Sequence, residues 1–560
     1  MELIKKIFSS ILILVGIAAM VVAVFAAVMM IGKVSIFGVS YVNAITNKEI
    51  TIKTSGADKM IDENGTVAKI VIKTNRVTPQ IEYFDKLESK NLSVKLSSNL
   101  QGFAKGDVKS VSLKTYAPTE VFDGSTKVLT IETIEPEGLF FTNNSVLKVC
   151  LPRKMSLSDV EIEVGGAKSI VINGNAVKEN IDELNPNGVK EIVQMHLNTL
   201  KITQKEANYN GLTIGNIAKW RITNSNGQIT GHDEKINLTV KNLEIKTVAG
   251  RVNVGCPIAN DLTIESDSGT FIFNTYLDAP EDGIYKNSIG GSAIIKGGSP
   301  SIEFGTIENS IIDKAKKQQA YSITKQFSIA GLLSVQCNAL VQVSGEVGDS
   351  VSLNKNGATL RANVIKGDLY AESGCGGIVI IDNVGGLILI GTSTDVDVTV
   401  NDVFINEIHG YATIKSNNKP VVINKLVGAT CSIESNRGDI RVKSIDSTST
   451  VNLLAKNASI YANFTGSNIS GENNLKATGN GNINVKFLDG QKFKLFAKAR
   501  SKDKIKINLI TFNTSELDPK GDIGGYKYYE EEIYGNTDDS NQVNLSAEYG
   551  VIRGQYPKED

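Results

Sequence analysis

The hydrophobic pattern begins with one long apolar run and then changes to short alternations of apolar and polar positions. Residues 7–32 carry no charged side chain, and the run from Ile11 to Gly32 is apolar throughout. A helix of this length crosses the hydrocarbon core of a bilayer. No polar side interrupts the run, which argues against a buried helix of a globular protein. We therefore predict a transmembrane anchor over residues 11–32.

A cleaved secretory signal is the alternative interpretation of this run. The apolar core of such a signal usually covers about 7–15 residues before a small-x-small cleavage site. The core here is longer, and the nearest tolerable site, at residues 42–44, lies well beyond it. The pattern therefore favours an uncleaved anchor. Lys5 and Lys6 precede the run, so the positive-inside rule predicts a short cytoplasmic segment, residues 1–10, and an extracellular body on a single-pass protein of the cell membrane.

After the anchor, Val, Ile, Leu and Thr alternate with polar residues, which predicts β-strands. Several stretches share one pattern: an apolar residue, any residue, Ser or Thr, a turn, and a second alternating stretch. Copies of the pattern occur at residues 245–254, 264–273, 371–380, 414–423 and 433–442. Adjacent copies recur about every 19–24 residues, a spacing typical of solenoid rungs. Because one rung cannot bury its own apolar side, we predict a repetitive, β-helix-like solenoid in which stacked rungs share one core.

These serial units resemble the bacterial putative-adhesin domain family of unknown function. The likeness also rests on the lead-in Leu147–Pro152 and on the pattern of Val160–Ile172. It covers residues 147–277 and 335–555. The resemblance implies short β-solenoids on exported or membrane-anchored proteins. The family pattern contains no catalytic residue, so the resemblance transfers none to this chain.

The patterns also predict the order of regions along the chain. Residues 33–146 contain strand-like runs separated by longer loops rich in Asp, Asn and Gly, which predicts a membrane-proximal β-region. Residues 147–279 and residues 335–560 predict two solenoid blocks, the second with a C-terminal cap. The whole chain is therefore predicted to be mainly β after a single N-terminal transmembrane helix.

The stretch between the two blocks, residues 280–334, departs from the repeat. Its first part is rich in Gly and Ser, and Ile307, Ile311 and Ala315 then follow at helical spacing. This pattern predicts a linker or insertion with a short amphipathic helix. The alternative is an uninterrupted solenoid with one decorated rung.

Composition narrows the classes of function. Lys and Arg number 59 against 60 Asp and Glu, and the charges are interspersed along the chain. We therefore predict no nucleic-acid partner, since neutralising phosphates requires clustered cations. The five cysteines, Cys150, Cys256, Cys337, Cys375 and Cys431, are far apart and odd in number. They are predicted to be small buried side chains in strands rather than disulfides or zinc ligands.

The sequence offers few candidates for chemistry. It contains no HExxH, GxSxG or P-loop motif and no metal-binding loop pattern, so we predict no cofactor and no metal site. Asp395 and Asp397 are two residues apart and would share one side of a strand, as a pair of catalytic carboxylates could. A solvated polar side is the simpler interpretation of that pair.

The candidates for partner binding are tyrosines near the C-terminal end, which could offer ring faces to a sugar or a protein. A capping strand over the last rung is the other interpretation of this segment. The tyrosines are Tyr526, Tyr528, Tyr529 and Tyr534.

Taken together, the patterns predict a non-enzymatic, membrane-anchored cell-surface protein. Its solenoid would serve adhesion or envelope scaffolding, with a cell-surface polysaccharide or protein as partner and Ile11–Gly32 as the membrane contact. The alternative is a carbohydrate-active enzyme, a polysaccharide lyase or glycosidase on a β-helix scaffold.

Overall fold

The structure is a computed structural model, and it is mainly β with one apolar helix at the N-terminal side. The described residues are 2–32, 35–52, 67–83, 91–120, 127–151, 157–165, 170–172, 195–206, 208–214, 217–223, 229–236, 238–273, 288–313, 318–354, 357–372, 377–390, 402–416, 419–509, 512–533 and 540–555.

The apolar run forms the helix α1, Glu2–Gly32. Within it, the 21-residue stretch Ile11–Ile31 is long and apolar enough to cross a membrane, and none of that stretch is buried against protein. Large side chains such as Leu14 and Met20 are 72% and 68% exposed. The prediction of a single apolar helix of membrane-spanning length is confirmed.

The chain divides into two compact units. The first comprises residues 1–240 and 246–251, and the second comprises residues 241–245 and 252–560. The division falls inside the predicted block 147–279 rather than at either of its boundaries.

The strands of the first unit, together with the two strands at the division, are β1 Val39–Ile52, β2 Val67–Thr74, β3 Thr78–Tyr83, β4 Leu92–Lys105, β5 Ser112–Glu120, β6 Lys127–Ile134, β7 Glu137–Asn143, β8 Val146–Leu151, β9 Leu157–Val164, β10 Ile170–Ile172, β11 Met195–Gln204, β12 Asn208–Ile214, β13 Ile217–Thr223, β14 Ile229–Ile236, β15 Leu238–Thr247 and β16 Gly250–Val254.

The first unit combines parallel and antiparallel pairing. Strand β2 lies parallel between β6 and β9, and β9 pairs in parallel with β11. A second parallel set contains β8, β3, β10 and β12, and the antiparallel pair of β1 and β4 extends it beyond β8. Ile72 lies in register with Ile131 on one side and Ile162 on the other, and all three are fully buried. The first unit, which joins strands of the predicted β-region 33–146 to strands of the predicted block 147–279, is therefore built around parallel strands that share a core.

The strands of the second unit are β17 Leu262–Ser266, β18 Thr270–Phe273, β19 Ser288–Ile289, β20 Ala293–Gly297, β21 Ser301–Phe304, β22 Thr306–Asp313, β23 Gln318–Lys325, β24 Ser328–Ile329, β25 Leu333–Val335, β26 Leu340–Val347, β27 Val351–Leu353, β28 Thr359–Ile365, β29 Leu369–Ala371, β30 Gly377–Val384, β31 Ile388–Ile390, β32 Asp402–Ser416, β33 Val421–Ser435, β34 Ile440–Ile445, β35 Thr450–Lys456, β36 Ile460–Phe464, β37 Glu472–Thr478, β38 Ile483–Phe487, β39 Phe493–Ala499, β40 Ile505–Leu509, β41 Phe512–Asn513, β42 Gly521–Ile523, β43 Tyr526–Ile533, β44 Gln542–Ala547 and β45 Ile552–Gln555.

Two long ladders of parallel strands organise this unit, and a third, shorter ladder joins β19 and β24 to the last residues of β26, β28 and β30 and to the middle of β32 and β33. The first ladder runs in the order β17, β20, β25, β27, β29, β31, β32, β33, β35, β37, β44 and β39. The second ladder runs in the order β18, β21, β26, β28, β30, β32, β33, β34, β36, β38, β45 and β40. The long strands β32 and β33 contribute their first halves to the second ladder and their second halves to the first. Successive rungs that each add one strand to both ladders are compatible with the predicted β-solenoid.

The core consists of apolar residues stacked in register along each ladder. In the first ladder, Ile414 lies between Ile390 and Ile433, and all three are at most 1% exposed. In the second ladder, Phe273 and Phe304 are in register with ring centroids 4.7 Å apart. Because side chains alternate across a strand, each inward position is matched by an outward one. The outward positions form continuous rows that solvent reaches.

The Ser or Thr of the repeated sequence pattern closes the turn between the two ladders. Ser266, Ser416 and Ser435 are at most 1% exposed, and each hydroxyl donates to a carbonyl two or three residues later, at 2.5, 3.0 and 2.6 Å. A buried hydroxyl without such an acceptor would be destabilising. We call this arrangement the Ser/Thr corner. It explains why the predicted repeat places Ser or Thr before each turn.

The predicted helix between the two blocks is wrong. Thr306–Asp313 and Gln318–Lys325 pair antiparallel as β22 and β23, a two-stranded sheet of its own. The neighbouring strands β20, β21 and β25 belong to the two ladders. This pairing is compatible with the alternative, an uninterrupted solenoid with one decorated rung.

Near the C-terminal side of the unit, the order of strands in space departs from their order in the chain. Strand β44 lies parallel between β37 and β39, and β45 lies parallel between β38 and β40. Residues 542–555 thus occupy the rung between residues 472–487 and residues 493–509. Asn473 is fully buried beside this inserted rung, and its Nδ2 donates to the carbonyl of Gln542 at 3.4 Å. We call residues 542–555 the inserted rung.

Candidate functional site

The outward side chains of the first ladder form a continuous row of mainly uncharged polar groups. We call the part of this row from β27 to β44 the polar row, and its members are Ser352, Tyr370, Leu389, Thr413, Ser432, Asn452, Asn474 and Asn544. Neighbouring members stand about 4.8 Å apart because they belong to adjacent parallel strands. No member of the row is a carboxylate.

The amides at the end of the polar row bond to one another. Nδ2 of Asn544 donates to Oδ1 of Asn474 at 2.9 Å, and Asn474 is in register with Asn452. Both Asn474 and Asn544 also donate to Oε1 of Glu472, at 3.2 and 3.3 Å. An amide offers two donor hydrogens and an acceptor oxygen. The row therefore presents a regular series of donors and acceptors suited to the hydroxyl groups of a polymer.

The next outward positions of the first ladder carry charges of both signs. Lys415 is in register with Glu434, and Nζ of Lys456 contacts Oε1 of Glu434. A glycosidase needs two carboxylates facing one substrate, whereas Glu434 lies between two lysines. Asp395 and Asp397, the predicted candidates for an enzyme, lie outside the described residues. The enzyme alternative stays a prediction that no observation in the described part of the chain favours.

One of the predicted partner-binding tyrosines is a core residue. Tyr529 is only 2% exposed, and its hydroxyl donates to the carbonyl of Leu517 at 3.1 Å. Its ring packs edge-on against Phe512, with centroids 6.1 Å apart. Tyr529 therefore stabilises the fold and does not offer a ring face to a partner. Tyr534 lies outside the described residues.

Tyr526 and Tyr528 lie on β43, which pairs antiparallel with β39 and covers that strand's outer edge. The ring of Tyr528 packs on Phe496 at 5.4 Å between centroids, and the guanidinium of Arg500 lies 4.3 Å from the ring centroid of Tyr526. The ring of Tyr549 lies 5.7 Å from the same guanidinium. The arrangement has the geometry of the predicted capping strand, and partner binding by Tyr526 and Tyr528 stays a prediction. Sequence reasoning missed Arg500 and Tyr549 because both are distant in sequence from the tyrosine segment.

Histidines and cysteines assemble no centre in the described part of the chain, where no group of three or more His, Cys, Asp or Glu could hold a metal ion. The ring of His196 contacts the hydroxyl of Thr239, and Nε2 of His409 lies 3.4 Å from Glu407. The predicted burial of the cysteines is confirmed for the four that are described, Cys150, Cys256, Cys337 and Cys431. Cys375 lies outside the described residues.

No protein-family model, no curated protein and no solved structure matches this chain. The resemblance to the adhesin-domain family therefore stays a prediction. The features that bear on function are therefore the helix α1, the ladders and their outward rows.

Proposed function

We propose that this chain is a non-enzymatic, single-pass surface protein that serves adhesion or envelope scaffolding. The polar row is the observation that carries the proposal. It offers hydrogen-bonding groups at a regular spacing on consecutive strands, without the carboxylate pair that sugar-cleaving chemistry needs. A regular row of this kind suits a partner that itself repeats, such as an envelope polysaccharide or a repetitive protein.

The helix α1 supports the membrane part of the proposal. Its apolar stretch is of spanning length, and Lys5 and Lys6 precede that stretch. Positive residues on the N-terminal side favour a cytoplasmic N-terminus, which leaves the β-units outside the cell. The protein would then hold its ladders at the outer surface of the cell membrane.

Rigidity of the ladders supports binding by many weak contacts. The outward side chains are fixed to strands whose inward neighbours are fully buried, such as Leu453 and Leu475 beside Asn452 and Asn474. Groups fixed on a rigid element lose little conformational freedom when they bind. Several modest hydrogen bonds along one row therefore add to a useful affinity for a polymer.

Retention of vesicles tests the proposal. The full-length chain is reconstituted into phosphatidylcholine vesicles, and retention is measured on whole cells and on purified envelope polysaccharide. We expect the wild-type protein to be retained and the double variant Asn474→Ala/Asn544→Ala to be retained several-fold less. Absence of wild-type retention on every surface would overturn the proposal.

The second ladder supplies a matched control. Nδ2 of Asn424 donates to Oδ1 of Asn406 at 2.8 Å, so the same kind of amide pair occurs there. The double variant Asn406→Ala/Asn424→Ala removes this pair and should be retained like the wild type. Equal losses in both double variants would show that the polar row is not the contact surface.

A further inference from the structure

The outward side of the second ladder becomes basic over its last strands. Each of β34, β36, β38, β45 and β40 places two side chains outward there. We call this set the basic face, and its members are Arg441, Lys443, Tyr461, Asn463, Asn484, Lys486, Arg553, Gln555, Lys506 and Asn508. Five of these side chains are cations and none is a carboxylate, in a chain whose net charge is only −1.

Most of this positive charge is not neutralised by the protein. Arg441 forms an ion pair with Asp439 at 3.1 Å. Among the described residues, the other four cations of the basic face have no carboxylate within ion-pair distance. Asp439 and Asp503 stand before the first residues of β34 and β40, and Asp503 interacts electrostatically with Lys506, so two carboxylates lie near the five cations. The basic face is therefore a local excess of positive charge that attracts an anion.

The register fixes the geometry of these charges. Arg441, Tyr461, Asn484, Arg553 and Lys506 follow one another in register across adjacent parallel strands. At about 4.8 Å per strand, this row is about 20 Å long, and three of its five members, Arg441, Arg553 and Lys506, are cations. A linear polymer with a negative charge on each repeat unit matches such a row better than a compact anion does.

An aromatic ring lies among the cations. Tyr461 is 39% exposed, and the guanidinium of Arg441 lies 5.0 Å from the centroid of its ring. A tyrosine ring offers an apolar surface together with a polar hydroxyl. This mixture of flat apolar surface and positive charge corresponds to the two sides of an acidic sugar, whose ring is partly apolar and whose carboxylate is negative.

We propose that the basic face binds a linear anionic polysaccharide through the carboxylates of its acidic sugars. The inference rests on the proposed surface function and names the chemical class of one partner. It uses the second ladder, whereas the proposed function is carried by the polar row of the first ladder, so the two surfaces can be tested separately.

Binding of a uronate polymer tests the inference. The full-length protein, in an uncharged detergent, is titrated with polygalacturonate, with neutral dextran and with double-stranded DNA at several salt concentrations. We expect polygalacturonate to bind with an affinity that falls as salt rises, because exposed charges are screened. Neutral dextran should not compete with polygalacturonate for binding to the protein.

Two triple variants remove the same amount of positive charge from the second ladder and from the first ladder. Lys486→Gln/Arg553→Gln/Lys506→Gln neutralises the basic face and should weaken polygalacturonate binding roughly tenfold or more. Lys296→Gln/Lys415→Gln/Lys476→Gln neutralises exposed lysines of the first ladder and should leave binding unchanged. Equal weakening in both variants, no binding by the wild type, or tighter binding of DNA than of the uronate polymer would overturn the inference.

The retention experiment separates this inference from the proposed function. If wild-type vesicles are retained on envelope material but polygalacturonate does not bind, the inference fails and the proposed function stands. If no surface retains the vesicles while the basic face still binds polygalacturonate, the proposed function fails and the anion site remains.

Discussion

The hydroxyl of Ser435 and the backbone of Gly438 bond to each other in both directions. Oγ of Ser435 donates to the carbonyl of Gly438 at 2.6 Å and accepts from its N–H at 3.1 Å. Ser435 is fully buried, and a Cβ added at Gly438 would lie 1.9 Å from the carbonyl oxygen of Lys419. At Ser435, the Ser/Thr corner therefore needs both a hydroxyl inside the turn and a residue without a side chain beside the neighbouring rung.

Replacing Ser435 by alanine should destabilise the second unit. The change leaves the Gly438 N–H and carbonyl without this buried partner, a loss of about 1–3 kcal/mol. Chemical denaturation of the full-length protein measures it. Ser432→Ala, on the outward side of the same strand, should change the free energy of unfolding by less than about 0.5 kcal/mol. Equal effects would contradict the role assigned to the corner.

Removing residues 540–560 should destabilise the second unit more than any single substitution. Strands β37 and β39 would each lose their parallel partner β44, and Oδ1 of Asn541 would no longer accept from the N–H of Gly471. Unpaired strand edges promote aggregation. We expect a large loss of soluble protein after thermal challenge, followed by light scattering.

A synthetic peptide of residues 540–555 should bind the shortened chain and restore its solubility, because the vacated position has a strand partner on both sides. A scrambled peptide of the same composition is the control. A shortened chain as stable as the full one would contradict the structural importance of the inserted rung.

Two buried thiols should resist alkylation in the folded protein. Burial raises the pKa of Cys256 and of Cys431 to about 12, so the reactive thiolate is scarce near neutral pH. At pH 8, iodoacetamide should modify both residues only after unfolding, as peptide mass mapping would reveal. Rapid modification of native protein at either site would contradict their burial.

Acid should weaken the turn after β34. Burial alone raises the pKa of Asp446, but hydrogen bonds from Ser449, Thr448 and Gly428 outweigh it and hold that pKa below its ordinary value. A carboxylate with a lowered pKa stabilises the fold above its ordinary pKa, and this stabilisation is lost as pH falls through the folded-state pKa.

The stability of the wild type should therefore fall as the pH drops below about 4, more steeply than that of Asp446→Asn. Unfolding midpoints measured from pH 7 to pH 2.5 compare the two proteins. Parallel pH profiles would contradict the role of Asp446.

The hydrophobic pattern was sufficient to predict the helix α1 and the alternating strands, because both depend on local periodicity. It failed at Ile307 and Ile311. A spacing of four places two residues on one side of a helix, but an even spacing also places them on one side of a strand. The structure has β22 there, with Ile307 only 6% exposed.

Features that depend on which strands become neighbours could not be predicted from the sequence. Lys486, Lys506 and Arg553 are separated by other charges along the chain, and only the ladder register brings them onto one face. For the tyrosine segment, by contrast, the sequence alone was enough to limit the prediction. Adjacent strand positions point to opposite sides, so Tyr528 and Tyr529 could not both be on the surface.

The inserted rung means that the ladders cannot be completed in the order in which the chain is made. Strands β39 and β40 emerge from the ribosome before the segment that separates them from β37 and β38. Until residues 542–555 have been made, the rung at residues 493–509 lacks the strands that join it to residues 472–487. Folding of this region therefore depends on the synthesis of residues 542–555, and a chain arrested before residue 542 would display open strand edges to proteases.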